Sequence, residues 1–335
     1  MRLLLSLFVL VMWLPGLFAQ ILFVSSYNGG QILRYDISGT TPVFLNALTL
    51  PAGFSPDGMT LDDSNRLVFN YSTSSAARQG RTNLDFSGGF TQLSSTNGIF
   101  YLDLTRNSTH LFSGLFGQGI YRSNLDGSSP SLLINTSFDT DGVRIGPDGF
   151  LYVVNSSNGQ VLRYNPASPG SPTTFITSSV TGIASQMEFG PDGRVYVSRT
   201  IAGQPAIYRY TPVDPLDLSL GTTGEQLFSN FGSSGSTATG IRFGPDGRLY
   251  ANDFNNSSVW RSDASLSLNS MQSYISSGAN GLNAPGSLYI VAVPEPATLI
   301  LFGIIGSVIF GILLRYYRIK AADQIVLCAD DNSSD

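Results

Sequence analysis

The chain has 335 residues, of which 42% are hydrophobic, and a formal net charge of −5. This acidic balance argues against a nucleic-acid partner, which would require a basic surface. A single cysteine excludes a disulfide framework, and a single histidine excludes a multi-histidine metal site.

Residues 1–19 have the order of a secretory signal peptide. Arg2 supplies an early positive charge, residues 3–14 form an almost unbroken apolar run, and Ala19 ends the segment. The apolar run is shorter than the roughly 20 residues that a membrane-spanning helix needs. We therefore expect cleavage after Ala19, which leaves residues 20–293 as an exported body.

Three sequence markers recur through the exported body at a period of about 44 residues. The first is an apolar strand signal with seven copies, which begin at Leu22, Leu67, His110, Leu151, Val195, Leu249 and Leu288. The second follows about ten residues later, and its clearest copies begin at Ile32, Ile120, Val161, Ile207 and Val259. The third is a polar residue, usually with glycine, at Asp57-Gly58, Asn97-Gly98, Asp141-Gly142, Ser185-Gln186, Thr239-Gly240 and Asn280-Gly281.

A repeat of this length with about four short strands is typical of a β-propeller blade. The sequence therefore predicts an all-β, six-bladed β-propeller. Because the first marker occurs seven times, a seventh blade stays open. We interpret residues 288–293 as a closing strand that pairs with the N-terminal strands, since closure removes free sheet edges.

In three copies, the strand of the third marker runs into a turn of fixed type, at residues 146–149, 190–193 and 244–247, each with the sequence Gly-Pro-Asp-Gly. Proline presets the turn, aspartate bonds to its own backbone and glycine takes a positive φ. This turn between short apolar strands resembles the NHL-repeat and gluconolactonase-like six-bladed propellers. The resemblance covers nearly all of residues 22–290.

Polar residues that open the third-marker strands are expected at one mouth of the central channel. They are Asp57, Asn97, Asp141, Thr239 and Asn280. Such oxygen ligands suit Ca²⁺, and the resemblance to gluconolactonase-like enzymes implies a divalent metal on carboxylate and asparagine ligands. The alternative, which we favour, is that each Asp or Asn bonds to its own backbone at a turn. No cofactor is therefore predicted, and a divalent cation such as calcium is the alternative.

Glu188 is a further candidate metal ligand, because it stands where parallel copies have Arg144 and Arg242. The alternative, which we favour, is a structural ion pair between neighbouring blades. His110, the only histidine, cannot support the paired-histidine chemistry of propeller lyases. No nucleophile motif such as Gly-x-Ser-x-Gly accompanies it, and no catalytic residue is predicted.

The C-terminal region reads as a membrane anchor. Residues 297–314 carry no charge and are long enough to cross a bilayer core as a helix. Arg315, Arg318 and Lys320 follow, and by the positive-inside rule they place residues 321–335 in the cytoplasm.

Pro294, Glu295 and Pro296 come directly before this apolar segment. The order of Pro-Glu-Pro motif, apolar helix and basic cluster resembles the PEP-CTERM sorting domain of Gram-negative bacteria. The resemblance implies recognition of the motif by an exosortase, a membrane-embedded sorting enzyme of species that make extracellular polysaccharide. The two prolines would present the glutamate on an extended backbone. Residues 294–320 are thus predicted as the sorting signal, with a longer tail than is usual in that family.

These observations predict a non-enzymatic binding or scaffold protein at the cell envelope, which presents its loops to a glycan, matrix component or protein. A metal-dependent lactonase or esterase-like propeller is the alternative, and it requires Glu188 and the polar residues of the mouth to converge on one point. A eukaryotic receptor, which the Asn-x-Ser/Thr sequons would favour, is a third reading. The Pro-Glu-Pro signal and the cysteine-free body argue against it.

Overall fold

Six antiparallel four-stranded sheets make up the described part of the computed structural model, which covers residues 18–96 and 101–294. From the innermost strand outward, the first three blades are β24 (Pro285–Pro294), β1 (Phe18–Ser26), β2 (Gln31–Asp36), β3 (Val43–Thr49); β4 (Ser55–Leu61), β5 (Leu67–Ser72), β6 (Ala77–Thr82), β7 (Phe90–Thr96); and β8 (Tyr101–Arg106), β9 (His110–Leu115), β10 (Gly119–Asn124), β11 (Ser131–Ile134). The other three are β12 (Gly142–Ile145), β13 (Leu151–Val154), β14 (Val161–Tyr164), β15 (Thr173–Ile176); β16 (Ile183–Phe189), β17 (Val195–Ile201), β18 (Gln204–Pro212), β19 (Thr222–Asn230); and β20 (Ala238–Phe243), β21 (Leu249–Asp253), β22 (Ser258–Arg261), β23 (Gln272–Ile275). The predicted all-β, six-bladed propeller is confirmed.

The last strand resolves the question of a seventh blade. β24 contains the seventh copy of the first marker, and it is the innermost strand of the first blade, next to β1. The two ends of the described chain thus share one sheet. This shared sheet closes the ring, because the first blade takes strands from both ends of the chain.

The predicted terminal segments lie largely or wholly outside the described residues. The propeller lies in one compact unit, Gln20–Val291. No helix in residues 18–96 and 101–294 is long and apolar enough to cross a membrane. The predicted membrane helix at 297–314 is outside these ranges, so it stays a prediction.

Neighbouring blades share their hydrophobic cores. Between the fourth and fifth blades, Tyr152 and Phe175 pack with Met187 and Val195 in one buried cluster. Between the sixth and first blades, Val24, Leu33, Tyr250 and Val259 lie together in another. Each sheet buries its apolar faces only against its neighbours, which is the physical reason for the ring.

The Gly-Pro-Asp-Gly turns join the innermost strand of a blade to its second strand. The Asp192 carboxylate accepts a hydrogen bond from the backbone N–H of Arg194 at 3.1 Å and another from the Tyr196 hydroxyl at 2.9 Å. The same pair of bonds recurs at Asp148 and Asp246. The turn therefore also fixes the tyrosine of the following strand, which explains why the two motifs occur together.

We expect Asp192→Ala to destabilise the propeller by about 1–2 kcal/mol, because it leaves the Tyr196 hydroxyl and a turn N–H without their acceptor. Urea unfolding of Asp192→Ala, Tyr196→Phe and the double variant would measure the coupling between the two side chains. Strictly additive effects would contradict the proposed contact.

Candidate functional site

Four innermost strands contain a β-bulge close to one mouth of the channel. β4 falls out of register with β5 between Pro56 and Met59, so Asp57 and Gly58 form the bulge. The same irregularity occurs at Leu102-Asp103, Ser185-Gln186 and Thr239-Gly240. Bulges bend a strand and change the direction of its side chains. Three copies of the third marker therefore correspond to bulges. The fourth bulge, at Leu102-Asp103, does not coincide with a copy of the marker.

Glycine is required at Gly58, in the bulge of β4, and at Gly142, the first residue of β12, because adjacent innermost strands approach closely there. A Cβ on Gly58 would lie 2.3 Å from the backbone nitrogen of Leu104, and one on Gly142 would lie 2.5 Å from the carbonyl oxygen of Ser185. A side chain at either position would collide with the next blade. The polar residue before each glycine is therefore held at a fixed position by backbone packing.

A cavity of about 230 Å³ opens at this mouth, and we call it the mouth cavity. All six blades have an innermost-strand residue, or a residue directly before such a strand, in its wall. The lining consists of Tyr27, Asp57, Leu102, Asp141, Ser185, Gln186, Thr239, Phe254 and Gly286. Its wall combines two carboxyl groups with two aromatic rings, and Tyr27 and Phe254 lie with their ring centroids 6.1 Å apart.

Asp57 is the less exposed of the two carboxyl groups that line the mouth cavity. Only 8% of the residue is exposed, and no hydrogen bond from the described residues reaches its carboxylate. Burial raises the pKa of Asp57 well above its usual value, and the nearby carboxylates of Asp103 and Asp141 raise it further. A buried carboxyl group without a donor costs free energy.

Asp141 shares this environment. Burial, followed by the charges of Asp139 and Asp103, raises the pKa of Asp141 to about 7. Burial and the charge of Asp57 raise the pKa of the Tyr27 hydroxyl to about 12. The mouth cavity is thus a region of concentrated negative potential in which each carboxyl group resists ionisation.

A second polar group lies deeper along the innermost strands. Asp103, Arg144, Glu188 and Arg242 come from four successive blades, and we call them the ionic layer. Arg144 donates to Asp103 and, at 3.3 Å, to Glu188 Oε2, which also accepts from Arg242 Nη1 at 2.7 Å. Exposed fractions of these side chains range from 0 to 15%.

The ionic layer also reaches the other two blades. Arg242 donates from Nε to the Leu288 carbonyl at 3.2 Å and from Nη2 to the Met59 carbonyl at 3.4 Å. Gln186, which lines the mouth cavity, accepts from Arg144 at 3.3 Å. All six innermost strands are therefore linked by one set of charged hydrogen bonds beneath the cavity.

Within the ionic layer, charge pairing affects the pKa values of Glu188 and Arg242 more strongly than burial does. Burial favours a raised pKa for Glu188, but the charges of Arg242 and Arg144 outweigh it and hold that pKa below its usual value. Burial likewise disfavours the charged form of Arg242, but Glu188 and Asp103 raise the pKa of the guanidinium. Glu188 is therefore an ionised partner of two arginines, with Oε1 accepting from the Phe189 N–H at 3.2 Å.

The predicted polar ring is only partly present in the structure. Asp57, Asp141 and Thr239 line the mouth cavity, but Asn280 does not. Asn280 lies in a 3₁₀ turn, Ala279–Gly281, with a φ of 57°. Its placement in the ring was wrong, because that Asn-Gly pair forms the turn before β24, and Gly286 lines the cavity instead.

Asn97 lies outside the described residues. In residues 18–96 and 101–294, no group of three or more His, Cys, Asp or Glu side chains could hold a metal ion. Asp57 and Asp141 share the mouth cavity, whereas Glu188 Oε1 accepts from the Phe189 N–H and Oε2 accepts from the arginines of the ionic layer. A calcium site on these candidates stays a prediction.

His110 is remote from the mouth cavity lining. It begins β9, the second strand of the third blade, and its Nδ1 lies 2.8 Å from the Thr109 hydroxyl. Partial burial and the charge of Arg122 lower the pKa of His110. The imidazole is therefore part of a strand-end hydrogen-bond group.

Sequence reasoning missed Tyr27, Phe254 and Asp103. The two aromatic residues directly follow the second strands of adjacent blades, β1 and β21, so an alignment of the blades would have placed them together. Asp103 is followed by Leu104 and not by the glycine that most copies of the third marker have, which hid its equivalence.

A model of the PEP-CTERM protein-sorting motif matches residues 292–318. The predicted sorting motif is thereby confirmed, and it indicates export and sorting at the cell envelope. Pro294 is the last residue of β24, whereas Glu295, Pro296 and the basic cluster lie outside the described residues. No curated protein sequence matches the chain.

Solved structures share the fold at low sequence identity. A chain of a nidogen/laminin complex superposes with a TM-score of 0.63 and 12% identity, over 81% of this chain and 98% of that one. A protein of unknown function from Bacteroides caccae gives 0.54 and 11%, over 83% and 100%. Virginiamycin B lyase from Staphylococcus aureus, in a catalytically inactive form with quinupristin, gives 0.51 and 18%, over 70% and 74%. Identities this low show the fold alone.

The fold and the motif together define the class: a six-bladed β-propeller that carries a PEP-CTERM sorting signal. The chain is accordingly an exported, surface-sorted protein. The resemblance to NHL-repeat and gluconolactonase-like propellers beyond the shared architecture stays a prediction.

Proposed function

We propose that this protein is a non-enzymatic binding protein of the cell envelope or the exopolysaccharide matrix, and that it captures its ligand in the mouth cavity. One observation carries the proposal: Asp57 is buried in the cavity wall without a hydrogen-bond donor among the described residues. A folded protein retains such a group at a cost in stability. A ligand that supplies the missing donors would recover that cost on binding.

The metal-dependent lactonase or esterase is the weaker candidate. It needs Glu188 and the carboxyl groups of the mouth on one metal ion, but Glu188 is bonded to Arg144 and Arg242. Freeing this glutamate would leave two buried guanidinium groups with one fewer counterion. The contacts of Glu188 thus support a structural role in the closed ring.

Sorting supplies the location of this binding protein. We infer that residues 294–296 are read by an exosortase-type enzyme, after export directed by residues 1–19. Residues 297–314 would hold the chain in the membrane, with Arg315, Arg318 and Lys320 on the cytoplasmic side. Processing at the motif would release the propeller to the cell surface or the polysaccharide matrix.

A single set of measurements on residues 20–294, which contain nearly all of the described propeller, separates binding from catalysis. We expect melting to be insensitive to a chelator, with no turnover of lactone or ester substrates. Calorimetric titration with neutral, cationic and anionic saccharides should show saturable binding that Asp57→Asn weakens at least tenfold. Turnover that is lost on chelation and restored by a divalent metal would overturn the proposal in favour of the lactonase.

A further inference from the structure

The mouth cavity presents an excess of hydrogen-bond acceptors. In their ionised form, which a cationic ligand favours, the carboxyl groups of Asp57 and Asp141 have no donor, and neither receives a hydrogen bond from the described residues. The Thr239 hydroxyl donates to the Pro285 carbonyl at 2.7 Å, so its proton is already used. The cavity therefore suits a ligand that brings several donors.

The cations nearest to the cavity are already engaged. Arg144 and Arg242 bond to Asp103 and Glu188, so the four charges of the ionic layer balance. No arginine of this layer is available to neutralise the carboxyl groups above it. A ligand that enters the cavity meets two uncompensated acidic groups, and complementarity requires a positive charge.

Beside the polar Ser185 and Gln186, the wall of the mouth cavity has an apolar and aromatic part. Tyr27 and Phe254 are tilted by 53° to each other at the cavity wall, and Leu102 lies on another blade. Aromatic faces attract organic cations and pack against their carbon framework. A hard divalent metal takes six to eight oxygen ligands, and these hydrocarbon surfaces provide none.

We propose that the mouth cavity binds an organic ammonium group, with Asp57 and Asp141 accepting its N–H donors and Tyr27 and Phe254 packing against its carbon framework. The proposal rests on the binding function proposed above and adds the chemical class of the ligand. An ammonium group has three donors and no acceptor, which complements two carboxylates. A volume of about 230 Å³ lies below the range of drug-sized pockets and suits a single ring.

The organic ammonium group could belong to an aromatic amine or to an amino sugar, and matched probes distinguish these two sources. Benzylamine and benzyl alcohol differ in the ammonium group on an aromatic framework, and glucosamine and glucose differ in it on a sugar framework. Calorimetric titration of residues 20–294 at pH 8 for benzylamine, and at pH 7 for glucosamine, compares each pair. We expect the amine of at least one pair to bind at least tenfold more tightly than its neutral partner.

Variants locate the binding. Asp57→Asn and Asp141→Asn should each weaken amine binding at least tenfold, and Phe254→Leu should weaken it severalfold. Asp63→Asn, which changes an exposed carboxyl group of the same propeller, should leave it unchanged. Thermal melts of every variant check that the ring is intact.

Each result bears on one proposal or the other. Equal affinity for amine and alcohol, or amine binding that Asp57→Asn does not weaken, would overturn the ammonium assignment. If neutral saccharides bind in an Asp57-dependent manner while amines do not, the binding function stands and the ammonium class falls. If neither amines nor saccharides bind, both proposals fall.

Discussion

Glu188→Gln is expected to destabilise the propeller by about 3 kcal/mol at pH 7, since it leaves Arg242 buried without its carboxylate. Arg144 keeps Asp103 as a counterion, whereas Arg242 keeps only carbonyl acceptors from Met59 and Leu288. Glutamine has nearly the same shape as glutamate, so the substitution isolates the charge. Urea unfolding at constant slope would report the change as a lower midpoint.

The effect of Glu188→Gln should also depend on pH. Because the folded-state pKa of Glu188 is lowered, its contribution to stability is present above the unfolded value of about 4.3 and is lost as pH falls through the folded value. The gap between the wild type and the variant should therefore shrink in acid. A gap that stays constant with pH would indicate a steric cause.

Asp63→Asn provides the matched surface control. Asp63 pairs with Arg106 across the second and third blades, but 66% of the Asp63 side chain is exposed. Surface ion pairs contribute about 0–1 kcal/mol, so this variant should shift the midpoint little. If both variants had equal effects, the ionic layer would contribute no more to ring closure than a surface pair.

The periodic features of the sequence predicted the fold because they reflect local chemistry. In the three blades with a Gly-Pro-Asp-Gly turn, the tyrosine of the second strand bonds to the aspartate of that turn, as Tyr152 does to Asp148, so the two motifs recur in step. Apolar residues of the second strands recur because each blade must pack against the next. These repeats predict chain closure and six or seven blades, and the pairing of β24 with β1 fixes the number at six.

The candidate site was less predictable, because its properties arise between blades. Asn280-Gly281 and Asp57-Gly58 look alike in sequence, yet one is a turn and the other a bulge whose glycine is required by an adjacent backbone. Whether Asp57 has a partner depends on residues that are tens of positions away in the chain. Glu188 and its arginines were recognisable from their equivalent positions in three blades, but the involvement of Asp103 was not.

Asp141→Asn is expected to stabilise the propeller by about 2 kcal/mol at pH 8, in contrast to most substitutions of buried polar residues. Burial and the charges of Asp139 and Asp103 raise the folded-state pKa of Asp141 to about 7, far above the unfolded value of about 3.9. Folding therefore disfavours the ionised carboxylate, and neutral asparagine removes this penalty. Asp57→Asn should act in the same direction, because burial and the charges of Asp103 and Asp141 also raise the pKa of Asp57.

The sign of the pH dependence follows from linkage. Folding raises the pKa of the Asp141 carboxyl group, so ionising the group costs more free energy in the folded state than in the unfolded state. The protein is therefore most stable below the unfolded pKa, and it loses stability as pH rises towards the folded pKa. The wild type should therefore lose stability between about pH 4 and pH 7, and Asp141→Asn should lose less. Glu188 acts in the opposite direction and at lower pH, so the two contributions separate in a series of urea unfolding curves.

If the asparagine variants are more stable, the wild-type Asp57 and Asp141 lower the free energy of unfolding. Residues that weaken the folded state without a structural partner are characteristic of binding sites. An amine ligand should then stabilise the wild type more than either variant, because binding supplies the positive charge that the cavity lacks. If Asp57→Asn and Asp141→Asn instead destabilise the propeller at pH 8, both carboxyl groups must already be satisfied within the protein. The mouth cavity would then lose the property on which its assignment as a binding site depends.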